Sequence, residues 1–247
     1  MGSTAWFKFA SPAAFYPVAG RLIPWFAWPA FVLTLVGLYI GFFVAPTDYQ
    51  QGDSYRIIFI HVPAAWMAMF LYLVMAGWCA ASLIWNTRMS AMMAQALAPT
   101  GAMFSAVALW TGALWGRPTW GAYWVWDARL TSTLILLFLY LGFMALRAAI
   151  DDPRRADRAS ALLALVGAIN VPIIYFSVRW WNTLHQGASV SLTSSPKMAQ
   201  TMLAAMLVMS FAAWFYAIAV ALHRVRSIIL ERESGSEWVR RQLVGNH

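Results

Sequence analysis

Six long apolar runs constrain the possible folds of this chain more than any other feature. They cover about residues 25–45, 57–85, 92–115, 130–150, 160–180 and 198–222. A membrane-spanning helix needs about 20 consecutive apolar residues, whereas the strands of an outer-membrane barrel are shorter and alternate in polarity. The sequence therefore predicts an all-α membrane protein, a bundle of six transmembrane helices.

The composition and the placement of polar segments indicate one membrane domain over residues 1–247. Hydrophobic residues make up 62% of the chain and charged residues 11%, and a soluble surface needs far more charge than this. Residues 1–24 are rich in aromatic residues and proline, which predicts a segment at the membrane interface. Residues 25–225 would form the bundle, and residues 226–247 a polar tail.

The net charge of +8 is unevenly distributed along the chain. If the N-terminus is cytoplasmic, 12 of the 17 basic residues fall in cytoplasmic segments and five fall outside. Because inner segments of membrane proteins carry the excess of Lys and Arg, this pattern predicts a multi-pass inner-membrane protein with both termini in the cytoplasm. We interpret the positive charge as a topology signal for the lipid bilayer and not as a nucleic-acid-binding surface.

Several missing motifs narrow the function. No GxxxxGK[ST] loop is present, so the chain has no phosphate-binding loop of its own. The lone Cys79 permits neither an intrachain disulfide nor a Cys-based haem attachment site, and the chain is therefore not a c-type cytochrome. No Asp, Glu, Lys or Arg lies in the middle of an apolar run, which disfavours an ion-coupled transporter.

The connection between the third and fourth runs is unusually rich in tryptophan. Residues 115–131 contain four of the fifteen tryptophans. If residues 120–127 were helical, their i, i+3, i+4 and i+7 spacing would put Trp120, Tyr123, Trp124 and Asp127 on one face. Two interpretations follow: an aromatic belt at the interface, or a flat platform for a large planar ligand. The composition alone favours neither.

Two histidines favour the platform. The predicted topology puts His61 and His185 on the outer side, although 124 residues separate them in sequence. Imidazole is a common axial ligand of haem iron, so two imidazoles beside a tryptophan-rich segment point to haem. The arginines predicted on the same side could pair with its propionates; they are Arg56, Arg117, Arg129 and Arg179.

At these residues the sequence resembles a known family. Residues 120–131, Trp-Gly-Ala-Tyr-Trp-Val-Trp-Asp-Ala-Arg-Leu-Thr, are similar to the tryptophan-rich WWD signature of the haem-handling proteins of cytochrome c biogenesis. Residues 181–187, Trp-Asn-Thr-Leu-His-Gln-Gly, together with the length and the helix count, resemble the haem exporter protein C (CcmC) family. The resemblance covers about residues 20–225 and implies a periplasmic tryptophan-rich segment.

The resemblance also implies a function. Such proteins present haem b, bound transiently as cargo, to the periplasmic haem chaperone CcmE, whose own histidine becomes bonded to a haem vinyl group. They work with the ATPase CcmA, the membrane subunit CcmB and the small single-span subunit CcmD. ATP hydrolysis would then belong to a partner, and this chain would have no independent catalytic activity.

By the same resemblance, His61 and His185 would be the axial ligands of the iron. Trp120, Tyr123, Trp124 and Trp126 would form the platform, with Asp127 and Arg129 shaping the site and Arg56 pairing with a propionate. The full set of expected haem-binding residues is His61, His185, Trp115, Trp120, Gly121, Tyr123, Trp124, Val125, Trp126, Asp127, Arg129 and Arg56.

Two other classes of protein stay open at this point. A membrane cytochrome b used for electron transfer would also contain paired histidines, although its haem usually lies deeper between helices. A permease subunit of an ABC-type transporter would need a polar or roomy path through the bundle, and the apolar runs suggest none.

Overall fold

The computed structural model describes residues 11–185 and 198–244. Within them, six helical segments are long and apolar enough to cross a membrane, which confirms the predicted fold class. The helices are α1 (Pro12–Tyr39), α2 (Ile58–Trp85), α3 (Arg88–Trp120), α4 (Ala128–Ala149), α5 (Pro153–Gly167), α6 (Asn170–Trp180), α7 (Gln200–Arg232) and α8 (Glu237–Val244).

Two of the spans differ from the predicted runs, the first in where it begins and the fifth in being divided into two helices. The first helix begins at Pro12, earlier than the run near residue 25 predicts, and residues 12–24 therefore belong to it; residues 1–10 lie outside the described part of the chain. The fifth span consists of α5 and α6 with a short break at residues 168–169. A helix satisfies its own backbone hydrogen bonds, which is why apolar runs of this length form helices in lipid.

The core of the bundle lies where α2, α3 and α4 pack together. The Tyr140 hydroxyl on α4 donates a hydrogen bond to the Ala68 carbonyl on α2, at 2.9 Å. Gly101 on α3 makes room for this ring, because a Cβ atom there would lie 2.1 Å from Cζ of Tyr140. Close packing of this kind fixes the spacing of the three helices that carry most of the site described below.

An ionic cluster joins four helices at one end of the bundle. Asp157 on α5 accepts hydrogen bonds from Arg147 on α4, at 2.6 Å, and from Arg232 on α7, at 2.8 Å. Arg147 also donates to Gln95 on α3, at 2.8 Å. Each of these charged side chains is mostly buried, and a buried charge is tolerated when it is paired in this way.

The opposite end of the bundle carries His61, and we call it the histidine end. Here the connection between α1 and α2 is held by Arg56, which precedes α2 in a short 3-10 turn, Asp53–Ile57. Its guanidinium donates to Asp53 at 2.9 Å and to the carbonyls of Gly41 and Ala45 at 2.7 and 3.2 Å. Arg56 thereby fixes the position at which α2 begins.

Candidate functional site

The tryptophan-rich connection is not helical over residues 121–127, so the condition under which Trp120, Tyr123, Trp124 and Asp127 would share one helix face is not met. Helix α3 ends at Trp120 because Gly121 adopts a left-handed conformation, with φ of +85°. Helix α4 begins after Asp127, whose carboxylate accepts a hydrogen bond from the Leu130 amide at 2.8 Å and so caps the helix. Residues 121–127 therefore form an irregular link between two capped helix ends.

As a result, Trp120 at the end of α3 and the aromatic residues of the link point in different directions. The Trp120 indole folds back along α3 over Gly116, where a Cβ would lie 2.4 Å from its Nε1. Tyr123 and Trp126 point away and are 58% and 77% exposed. Trp124 packs edge-to-face against Trp126, with ring centroids 5.2 Å apart. The four predicted platform residues thus do not share one helix face.

A cavity lies beside Trp120 and contains both histidines. It lies at the histidine end between α2, α3, α4 and α6. The residues that line it are His61, Ala65, Ala68, Met69, Ala108, Leu109, Gly112, Trp115, Thr119, Trp120, Arg129, Leu130, Thr133, Leu136, Ile174, Leu184 and His185.

The two imidazole rings lie close together in this cavity. Their centroids are 6.4 Å apart, and the ring planes are inclined by 33°. His61 lies in the first turn of α2, whereas His185 follows α6 in an irregular segment. The Trp120 ring centroid is 6.4 Å from that of His185, and the Trp115 ring contacts His61 edge-on at 5.6 Å. Residues from distant parts of the chain thus converge on one point.

The setting of His61 is tightly defined. Its Nδ1 lies 3.0 Å from the Thr111 hydroxyl oxygen on α3. The ring also packs over Gly112, where a Cβ would lie 3.0 Å from its Cε1 atom. The indole Nε1 of Trp115 donates to Gln51 at 2.7 Å, which ties this wall of the cavity to the α1–α2 connection.

The cavity extends from the histidines into the apolar part of the bundle. Ala65 and Ala68 follow His61 along α2, and the seven residue steps from His61 to Ala68 correspond to a rise of about 10 Å along the helix. Ala108 and Leu136 line the same region from α3 and α4. The small alanine side chains leave the space open, and the wall there is apolar.

One arginine reaches the cavity. Arg129, the second residue of α4, donates from Nη1 to the Ile174 carbonyl on α6 at 2.9 Å and lines the cavity wall. Arg56 instead holds the α1–α2 connection, and Arg117 donates to the Gly121 carbonyl and lies over the Tyr123 ring. Arg179 is exposed near the end of α6.

The structure therefore brings together five of the twelve expected site residues, namely His61, His185, Trp115, Trp120 and Arg129. The others do not line the cavity; they are Arg56, Gly121, Tyr123, Trp124, Val125, Trp126 and Asp127. Sequence reasoning missed Thr111 and the small residues that create the space. A signal was present in α3, where Ala108, Gly112 and Gly116 recur at every fourth position and so lie on one helix face.

The fold and the cavity define a polytopic membrane protein with two facing imidazoles in an apolar cavity at one end of a helix bundle. Comparison with known proteins identifies the family. Residues 5–240 match the model of the CcmC family, heme exporter protein C, and the chain belongs to that family.

Individual relatives agree with this assignment over most of the chain. Heme exporter protein C of Bradyrhizobium diazoefficiens is 49% identical over 223 residues, which are 90% of this chain and 84% of that protein. The Escherichia coli K12 protein of the same name is 45% identical over 94% of both chains. The Haemophilus influenzae protein of that name is 42% identical, again over 94% of both.

Proposed function

We propose that this chain holds haem b as cargo at the periplasmic face of the bacterial inner membrane and presents it to the haem chaperone CcmE during cytochrome c maturation. The observation that carries the proposal is the pair of imidazoles, His61 and His185, in the wall of one apolar cavity. Relatives that are 42–49% identical bear the name heme exporter protein C.

The spacing of the two rings fits a shared metal ion. An imidazole nitrogen binds a metal ion at about 2.0 Å, so two rings that hold one ion must lie close together. The observed spacing is 6.4 Å. His61 on α2 and His185, which follows α6, are the residues that would hold the iron.

The remaining walls suit the rest of a haem molecule. The alanine, leucine and methionine side chains exclude water from an apolar macrocycle, and Trp120 offers an aromatic surface beside His185. A guanidinium has five N–H donors, and the Ile174 carbonyl takes one from Arg129. Donors thus remain on Arg129 for a propionate carboxylate, which it can bind strongly because both groups are charged.

The position of the histidines favours presentation over transmembrane electron transfer. His61 is the fourth residue of α2, and Arg129 is the second residue of α4. The iron would therefore lie near the membrane surface, where another protein could reach the cargo. The haem supplies the reactive vinyl group, and the chain orients it. ATP hydrolysis would reside in CcmA, with CcmB and CcmD as membrane partners.

Reporter fusions test the orientation. We expect green fluorescent protein fused after Trp85 or Ile150 to fluoresce, and alkaline phosphatase fused after Tyr49 or Ala122 to be active. The reason is that 12 of the 17 basic residues would then lie inside. The reverse pattern would put both histidines on the cytoplasmic side and would refute presentation to a periplasmic chaperone.

Haem transfer tests the presentation itself. We expect the double variant Trp120→Ala, Trp124→Ala to remain in the membrane but to lower the amount of haem bound covalently to CcmE by about tenfold or more, because it removes the aromatic wall beside His185 and the packing of the link next to it. A change of about tenfold corresponds to about 1.4 kcal/mol, and both tryptophans are half-buried.

The matched control is Trp25→Ala, Trp28→Ala. These two tryptophans on α1 are 76% and 68% exposed and lie outside the cavity, so their loss should leave transfer unchanged. Equal transfer by both double variants would reduce the tryptophan-rich link to an interfacial anchor.

A further inference from the structure

We infer that Thr111 is a positioning residue that fixes the tautomer of His61, so that the proton stays on Nδ1 and the lone pair of Nε2 is available to the cavity. The inference rests on the proposed function, since it assumes that His61 binds the iron. It concerns a residue on a different helix, α3, that does not itself line the cavity.

The hydroxyl group of Thr111 has three close oxygen or nitrogen neighbours. Its Oγ1 lies 2.6 Å from the Val107 carbonyl oxygen, 3.3 Å from the Ala108 carbonyl oxygen and 3.0 Å from Nδ1 of His61. Thr111 is 4% exposed. A buried hydroxyl of this kind must satisfy its hydrogen bonds within the protein.

The shortest of these distances decides where the hydroxyl proton lies. Two oxygens 2.6 Å apart are at the short end of an O–H···O hydrogen bond, and they would repel each other without a proton between them. A carbonyl cannot donate, so the Thr111 hydroxyl donates to Val107. A hydroxyl has a single proton, and toward His61 the Thr111 oxygen can therefore only accept.

The tautomer of His61 follows from that assignment. A neutral imidazole carries one N–H, and the other nitrogen carries a lone pair. Because Thr111 accepts, the N–H is on Nδ1. Nε2 is then the only nitrogen of His61 that can bind a metal ion.

The surroundings also hold the ring in one orientation. A Cβ atom at Gly112 would lie 3.0 Å from Cε1, so the backbone of α3 leaves little space beside the ring, and Trp115 packs against the ring edge-on. With the Nδ1–H···Oγ1 bond, the ring cannot rotate without losing a buried hydrogen bond. Partners of this kind fix the orientation of a ligating histidine and raise its basicity, and their loss typically costs about 10–100-fold in metal affinity.

The test compares Thr111→Val with Thr111→Ser. Valine keeps the branched shape but cannot accept the Nδ1 proton, whereas serine keeps the hydroxyl. We expect Thr111→Val to weaken haem binding by about tenfold or more, and to raise the reduction potential of the bound haem. If the tenfold loss of affinity applies only to ferric haem, the reduction potential of the bound haem rises by about 59 mV. Thr111→Ser should resemble the unaltered protein in both measurements.

Ser105→Ala is the matched control. Ser105 is fully buried on the same helix and donates to the Gly101 carbonyl at 2.9 Å, so its removal deletes a similar hydroxyl that lies outside the cavity. It should change neither affinity nor potential. A Thr111→Val protein with unaltered affinity and potential would overturn the inference.

A second measurement does not depend on the folding of any Thr111 variant. Solid-state ¹⁵N NMR of the histidine-labelled, haem-free protein should show a neutral ring protonated on Nδ1, and this signal should vanish in His61→Ala. A ring protonated on Nε2 would overturn the inference. If His61→Ala instead bound haem with an unchanged spectrum, the proposed function itself would fail, so the two failures are distinguishable.

Discussion

We expect His61→Ala and His185→Ala each to lose most of the bound haem, or to keep it in a high-spin state, and millimolar imidazole to restore a low-spin spectrum. Each substitution would remove one of the two proposed iron ligands and leave a cavity of the size of the lost ring. Imidazole is the head group of the missing side chain, so it can enter this space and bind the iron. The measurement is the absorption spectrum of the purified variants before and after imidazole is added.

The control for this expectation is His223→Ala. His223 is exposed on α7 and does not line the cavity, so its loss should leave the haem content and the spectrum unchanged. If the histidines only stabilised the fold, loss of protein would accompany loss of haem, and imidazole would restore nothing. An unchanged spectrum in both single variants would refute ligation by the two histidines.

Gly112→Leu should abolish haem binding while the protein remains in the membrane. A Cβ at this position would already lie 3.0 Å from Cε1 of His61, and the larger leucine side chain would extend into the space beside the ring that the cargo needs. Overpacking of this kind typically costs about 1–3 kcal/mol, which a bundle of six spans can absorb. The measurement is haem content per purified protein.

Gly77→Leu provides a matched control for this substitution. Gly77 lies on α2, and a Cβ there would meet no atom within 4 Å. The control introduces the same leucine into a membrane helix, outside the cavity, and should leave haem binding intact. Normal haem content in Gly112→Leu would show that the cargo does not occupy the space beside His61.

Much of the fold could be predicted because a bilayer imposes a local rule on sequence. Each apolar run had to form a helix that satisfies its own backbone, and the described residues contain six such spans. Alternation of the spans then put His61 and His185 at the same end, and the structure brings their rings within 6.4 Å. Local composition and the alternation of spans were sufficient to predict the six helices and the end at which both histidines lie.

The details of the site depended on tertiary packing and were not predictable in the same way. The helical pattern over residues 120–127 was overridden by the conformation of Gly121 and by the cap at Asp127. Arg56 has a charge suited to a propionate, yet nearby carbonyls hold its guanidinium. Thr111 is one of many hydroxyls in the apolar runs, and only its contact with His61 singles it out.

The most direct test of haem binding between His61 and His185 is the electron paramagnetic resonance spectrum of the purified protein with ferric haem bound. Ligation by two imidazoles predicts a low-spin, six-coordinate signal that disappears in the double variant His61→Ala, His185→Ala. A high-spin, five-coordinate signal in the unaltered protein, or a low-spin signal that persists in the double variant, would contradict it.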